Sequence, residues 1–399
     1  MTALKIKRNY KYLIFLFSFS CIYLYAQVYL SKTIRHNYQS LLNLFPMYSQ
    51  GRDFLEKDTE LSLQPMTYGL LLSGESLSFS KYYSAEDKIR SEKAVSWLLK
   101  KFKYQKEKGY RGWGLPQAWD AFGDGSVNPP DHPYSITTAI VLQGLLDYLM
   151  VFPDHAFNSE IEKVLKETVT YWCNNLFFDI DGETGFFSYS PFSGDRYFCP
   201  NVSSMVCGVF QRVIHDYGHL FSSKELVKIQ GVIDKAVKGI IENVIYLDGL
   251  PFWQYVVYEN KESNTRTNAN DLVHHGLILW GVGEYRRYSG QVNIPWSSEH
   301  EILSLDLFWE NNGLKNVHIL QQNKLPAKLW GVGMAMAVYS RQGNIKSATR
   351  CLDLLIKNYG LPNMSIYPLN YTKRRGLPNS RHNSYVLFGI GHLIKSSFE

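Results

Sequence analysis

The densest chemistry in the sequence lies at residues 268–275, NANDLVHH, where Asn268, Asp271, His274 and His275 follow one another closely. Asp271 precedes His274 by three residues and His275 by four. Both spacings put the carboxylate beside an imidazole on one helical face. A carboxylate bonded to one ring nitrogen fixes the tautomer and raises the basicity of the other nitrogen, which makes a general base. The structural alternative is a capping Asp271 and a histidine hydrogen-bonded between helices. Sequence leaves both open.

Other reactive side chains are spread over four loops rich in Tyr, Asn, Asp and Gly: 110–139, 181–204, 248–271 and 367–384. The first carries Trp113, Trp119, Asp120, Asp124, His132 and Tyr134, and the second Arg196. The third carries Tyr255, Tyr258, Arg266 and Asn268, and the last Tyr371, Arg381 and His382. Trp and Tyr offer flat apolar faces, while the polar groups between them can hydrogen-bond hydroxyls. Asp120 and Asp124 are either two carboxyl groups facing one cavity or turn formers that bond backbone amides.

These loops need a scaffold, and the sequence repeats one. LWGVGEY at 279–285 recurs as LWGVGMA at 329–335 and as FGIG at 388–391, with weaker copies VCGVF at 206–210 and LQGLL at 142–146. The leading glycines are Gly144, Gly208, Gly281, Gly331 and Gly389, and a sixth element surrounds YGLLLSG at 68–74. Each copy lies in a segment apolar nearly all round, as in helices enclosed by other helices. Charged, amphipathic segments alternate with them, with Ser159, Ser223 and Asn344 as predicted N-caps. Glycine costs about 1 kcal/mol against alanine inside a helix, so its recurrence in the apolar set implies close helix approach. The fold class read from this pattern is all-α: an α/α toroid of five to six helical hairpins. An open solenoid gives a similar pattern.

Residues 12–30 carry no charge and follow Lys5, Lys7, Arg8 and Lys11. About 19 apolar-leaning residues suffice to cross a bilayer as a helix, and the basic flank stays in the cytoplasm. The expected organisation is therefore a membrane anchor or signal segment over 1–30, a linker over 31–60 and the toroid over 61–399. The domain would lie on the extracytoplasmic side (periplasm, cell surface or secretory lumen) or be secreted. Cys173, Cys199, Cys207 and Cys351 show no C-x-x-C spacing. Sequons at Asn201, Asn363 and Asn370 matter only where the host glycosylates exported proteins.

A chain that is 45% hydrophobic and 15% aromatic buries a large core and is not disordered. The net charge of +6 tolerates an acidic substrate. No basic run interleaved with aromatics follows residue 11, so no nucleic-acid partner is expected. No P-loop, G-x-G-x-x-G or G-x-S-x-G is present, and HDYGH at 215–219 lacks the Glu of a zinc-protease helix. Neither a cofactor nor a metal is expected.

With its ring of hairpins, its Trp/Tyr-lined loops and the motifs WGLPQAWDAFGDGS (113–126) and NANDLVHHGLILWG (268–281), the chain resembles the six-hairpin carbohydrate-active enzymes over roughly residues 60–399. That superfamily holds glycoside hydrolases, uronate polysaccharide lyases and uronyl C5-epimerases. The resemblance implies a polysaccharide in a central cleft. Hydrolysis there needs two carboxyl groups about 5–5.5 Å or 6.5–9.5 Å apart, with Asp120 and Asp124 as candidates. Lyase or epimerase chemistry instead needs a base beside a carboxylate-bearing carbon and a cation to neutralise developing charge. Tyr134, Tyr258, Asp271 and His274 are the candidates for proton transfer. Trp113, Trp119, His132, Arg196, Tyr255, Arg266, Asn268, Tyr371, Arg381 and His382 are the candidates for binding. The Tyr, Arg and His content and the basic balance favour the second chemistry on an acidic polysaccharide. A non-catalytic glycan-binding or assembly protein is the third reading.

Overall fold

The computed structural model describes residues 32–42, 64–257, 270–311, 313–317, 325–359 and 380–397. Six helices form an inner layer: α2 (Pro65–Tyr82), α4 (Ser135–Val151), α6 (Pro200–Asp216), α8 (Leu272–Arg287), α10 (Leu329–Arg341) and α12 (Ser380–Ser396). Each packs on the next, and α12 packs back on α2. The ring closes, so the toroid holds and the open solenoid does not. The other helices alternate with these along the chain: α1 over 32–42, then α3 (Ala85–Glu107), α5 (Asn158–Asn175), α7 (Ser223–Glu242), α9 (Ser298–Asp306) and α11 (Ile345–Tyr359).

Sequence pattern explains the two layers. α4 is buried continuously from Ser135 to Leu149, whereas α7 buries only the stripe Ile229, Ile233, Ala236, Val237, Gly239 and Ile240. An all-round apolar helix needs neighbours on every side, and a striped one needs only a single core face. The repeated glycines are seams between inner helices. A Cβ on Gly208 of α6 would sit 2.5 Å from the Gly281 carbonyl oxygen of α8, and one on Gly391 of α12 would sit 2.8 Å from Gly74 Cα of α2. In the copy at 329–335 the seam residue is Gly333, which meets the α12 backbone, while the leading Gly331 meets only the Leu272 side chain.

Three expectations change. Residues 32–42, inside the expected linker, are helical and bring Ile34, Tyr38, Leu41 and Leu42 into the core. The α7 cap is Ser222, not Ser223, because Ser222 and Glu225 form a reciprocal capping box. Ser159 lies inside the first turn of α5, which starts at Asn158, while Asn344 Oδ1 does accept the Ser347 N–H at the start of α11. The fold is also not purely helical. Two-stranded antiparallel ribbons join outer to inner helices at 119–120/127–128, 177–179/185–187, 245–247/250–252 and 309–310/313–314. The third turns on Asp248 and Gly249, at φ 51° and 77°, the left-handed pair that a tight hairpin requires. Among the described residues no helix is long and apolar enough to cross a membrane; the apolar segment 12–30 lies outside them.

Candidate functional site

Outer-to-inner connections are long and carry the ribbons, whereas inner-to-outer connections such as 83–84 are short. The long loops therefore end at the N-termini of the inner helices. Residues at the starts of all six line one cavity of about 260 Å³. Met66 comes from α2, Tyr134 and Thr137 from the start of α4, and Asn201 from α6. Asp271 and His274 come from the start of α8, Lys328 and Trp330 from that of α10, and Arg381 and Tyr385 from α12. Loop residues Trp119, Tyr189 and Tyr255 complete the wall.

The Asp271–His274 pair does both things the sequence allowed. Asp271 Oδ1 accepts the His274 backbone N–H at 3.1 Å, capping α8, and lies 2.6 Å from His274 Nδ1. Burial raises the Asp271 carboxyl, but attraction and hydrogen bonds from His274, with Lys328 further off, hold it below the usual carboxylate range. An ionised carboxylate accepts, so Nδ1 carries the proton and Nε2 the lone pair. The His274 ring meets Tyr255 and Trp330 edge-on, at 4.6 Å and 5.7 Å between centroids. His275 is the core histidine: fully buried, 3.0 Å from Ser304 Oγ through Nε2, and stacked on Phe252.

Trp330 organises the stretch of wall beside His274. His382 stacks on it at 4.4 Å and 24°, the Arg381 guanidinium lies 5.1 Å from its centroid, and Lys328 Nζ lies 5.6 Å away. His382 is thus buried beside the indole rather than lining the cavity; burial, then Arg381 and Lys328, drive its pKa well down. The phenols of Tyr134 and Tyr385 are raised by burial and stay protonated. Tyr134 also lies within 3.4 Å of the Trp119 carbonyl oxygen, which its hydroxyl reaches as donor. Asp195 pins two of the loops, accepting from Asn128 Nδ2 at 2.5 Å and Ser190 Oγ at 2.6 Å.

Several candidates fall elsewhere. Trp113 is fully buried and donates to the Leu98 carbonyl, so it belongs to the core and not to a binding wall. His132 is buried among Tyr110, Tyr134 and Phe192. Asp120 accepts the backbone N–H groups of Phe122, Gly123, Asp124 and Gly125, and Asp124 accepts from Ser126 and the Tyr197 hydroxyl. Both act as turn formers, and neither lines the cavity. Arg196 is exposed over the Phe178 ring, also outside it. Tyr258, Arg266, Asn268 and Tyr371 lie outside the described residues. Sequence reasoning missed Asn201, Tyr189, Lys328, Trp330 and Tyr385. Four of these sit at inner-helix starts, the position that already marked Asp271 and His274. Among the described residues no group of three or more His, Cys, Asp or Glu is placed to hold a metal.

A closed ring of six inner helices, with its site at their N-termini, defines an α/α toroid, the fold of the six-hairpin carbohydrate-active enzymes. Solved structures with this fold match the whole body of the chain. An unsaturated glucuronyl hydrolase specific for heparin is 8% identical, with a TM-score of 0.61 over 92% of this chain and 97% of its own. Cellobiose 2-epimerase from Bacillus thermoamylovorans is 12% identical, with a TM-score of 0.61 over 90% and 98%. An inactive α-1,6-mannanase variant from a Salegentibacter species, with two aspartates changed to asparagine and α-1,6-mannotriose bound, is 9% identical, with a TM-score of 0.59 over 92% and 99%. No family model matches the chain, and no curated protein matches it in sequence.

Proposed function

We propose that the chain is a carbohydrate-active enzyme that removes a proton from an acidic sugar, by lyase or uronyl C5-epimerase chemistry. The observation that carries this reading is the Asp271–His274 pair, 2.6 Å apart, in a wall it shares with Lys328 and Arg381. His274 Nε2 takes the proton from the carbon beside the sugar carboxylate. The electron pair spreads onto that carboxylate, and the nearby cations neutralise it. In a lyase the pair then forms the C4–C5 double bond as the C4–oxygen bond breaks and the leaving oxygen takes a proton. In an epimerase a phenol returns a proton to the opposite face. Tyr134, Tyr189, Tyr255 and Tyr385 are the phenols of the wall.

The glycoside hydrolase reading has less support. A two-carboxylate mechanism needs a partner for Asp271, and Asp271 is the only carboxylate among the described residues lining the cavity. The mannanase neighbour is inactive with two aspartates replaced. A glycan-binding protein without catalysis would have no use for an oriented base. The uncharged segment 12–30 behind a basic flank supports export of the domain; a topology reporter fused after residue 60 would be active only outside the cytoplasm.

The enzymatic test is incubation with acidic polysaccharides, read as unsaturated-uronate absorbance and as deuterium uptake at a sugar carbon in heavy water. A rise in absorbance marks a lyase, and uptake without absorbance marks an epimerase. New reducing ends with neither signal would establish hydrolysis instead.

A further inference from the structure

Side-chain caps are unevenly shared between the layers: outer α5 lacks one, and among the inner helices α8 has one, from Asp271. Outer helices α3, α7 and α9 start on Ser84, Ser222 and Ser297, whose hydroxyls accept a first-turn N–H. Inner helices α2, α4, α6 and α10 start on Gln64, Tyr134, Cys199 and Lys328, and none of these side chains caps its helix. Their first-turn N–H groups and positive dipole ends gather at the cavity. Lys328 Nζ and the Arg381 guanidinium add two cationic groups, 5.6 Å and 5.1 Å from the centre of the Trp330 ring. Asp271 is the one carboxylate in the described lining, and His274 already engages it.

Helix ends alone do not define a ligand; Asn201 supplies the independent sign. It lines the cavity from the first turn of α6, is 3% exposed, and its amide oxygen has no hydrogen-bond partner. Leaving a buried polar atom unpaired is costly, so such an atom at a cavity marks a place where a ligand donor completes the bond. A sugar hydroxyl is such a donor.

We infer that Lys328 and Arg381, flanking Trp330, hold the anionic substituent of the sugar (a carboxylate or a sulfate ester) while Asn201 receives one of its hydroxyls. These residues set the preference for acidic over neutral sugars. The inference rests on the cavity being a sugar site and is independent of proton abstraction. Trp330 offers an aromatic surface beside both cations, and its ring meets His274 at 5.7 Å and 76°. The anion is thereby fixed beside the base, which is where a proton next to a carboxylate must lie.

The test is titration calorimetry on the His274→Asn protein, which binds without turnover. The probes are methyl glucuronoside, its neutral methyl ester and methyl glucoside 6-sulfate. At least one anionic probe binds roughly tenfold or more tighter than the ester, as charge-assisted hydrogen bonds require. The tighter of the two anions identifies the group. Lys328→Gln removes most of that preference while leaving the ester's affinity unchanged, and Asn201→Ala weakens all three probes alike. Arg381→Lys keeps the preference and Arg381→Gln loses it; if Arg381→Gln does not fold, Lys328→Gln carries the test. Equal affinity for ester and anions, or a uniform loss in Lys328→Gln, overturns the inference and leaves the sugar site standing. Binding of none of the probes overturns both. Anion preference with neither proton exchange nor unsaturated product in the wild-type protein overturns only the catalytic reading.

Discussion

Near the C-terminal end of the inner ring, Asp147 lies 2.7 Å from Arg212 and accepts the Ser73 hydroxyl at 2.5 Å, while Glu284 lies 2.7 Å from Arg341. His392 is buried beside them, against Trp280. These residues come from all six inner helices, as do those of the mouth. At the far end the charges are buried and matched to each other; burial raises Asp147, but Arg212, His392 and Ser73 overcome it and hold the carboxyl far below its usual value. At the N-terminal end the described lining holds Lys328, Arg381 and Asp271, and the buried amide oxygen of Asn201 has no hydrogen-bond partner. The contrast teaches that one ring serves two purposes. Its closed end fixes how the helices meet, and its open end keeps polar groups for a ligand.

The sharpest way to break the comparison is at the closed end. Asp147→Ala leaves the buried Arg212 with only its 3.6 Å contact to Asp216 and lowers stability by about 3–5 kcal/mol, read from denaturant melts. The protein that remains folded keeps its sugar affinity. A smaller effect follows from crowding a seam midway between the ends: Gly208→Ala drives a methyl against the Gly281 carbonyl and costs about 1–3 kcal/mol.

The mouth responds to acid in a defined direction. Asp271 is raised by burial but held lower by His274, with a net value below the usual range. Its contribution to stability is complete above the unfolded value of roughly 3.9 and is lost as pH falls through the depressed folded value. Asp271→Asn therefore lowers the melting temperature in the neutral region, where that contribution is complete, and flattens the acid limb of the profile. The smallest effect is expected from Asp120→Ala. It loosens the turn that follows Trp119, raises KM and leaves kcat unchanged. An equal fall in kcat would return Asp120 to the reacting groups.

Much of the scaffold was legible because glycine recurring inside apolar helices signals close approach, as at Gly208 and Gly391, although Gly283 and Gly331 of the same repeat meet no neighbouring backbone. Asp271 and His274 were legible because helical spacing predicts contact. Trp113 and His132 were not, since a ring in an irregular loop carries no signal of whether it faces the core or the cavity. Asp120 and Asp124 were ambiguous for the same reason: a turn former and a catalytic carboxylate have the same sequence signature. Lys328 and Trp330 escaped notice because they adjoin a glycine repeat that reads as pure scaffold. The helix 32–42 was hidden because it supplies only a few core residues to neighbours far along the chain.

The central claim is that His274, oriented by Asp271, is a base acting on a sugar carbon. The most direct measurement is loss of a deuterium label from that carbon to water, a step that lyase and epimerase chemistry share, comparing wild type with His274→Asn on an acidic polysaccharide labelled there. The account predicts label loss with the wild-type protein and a rate lower by about 10²–10⁴-fold in a folded variant. Undiminished label loss with a folded His274→Asn protein would contradict it.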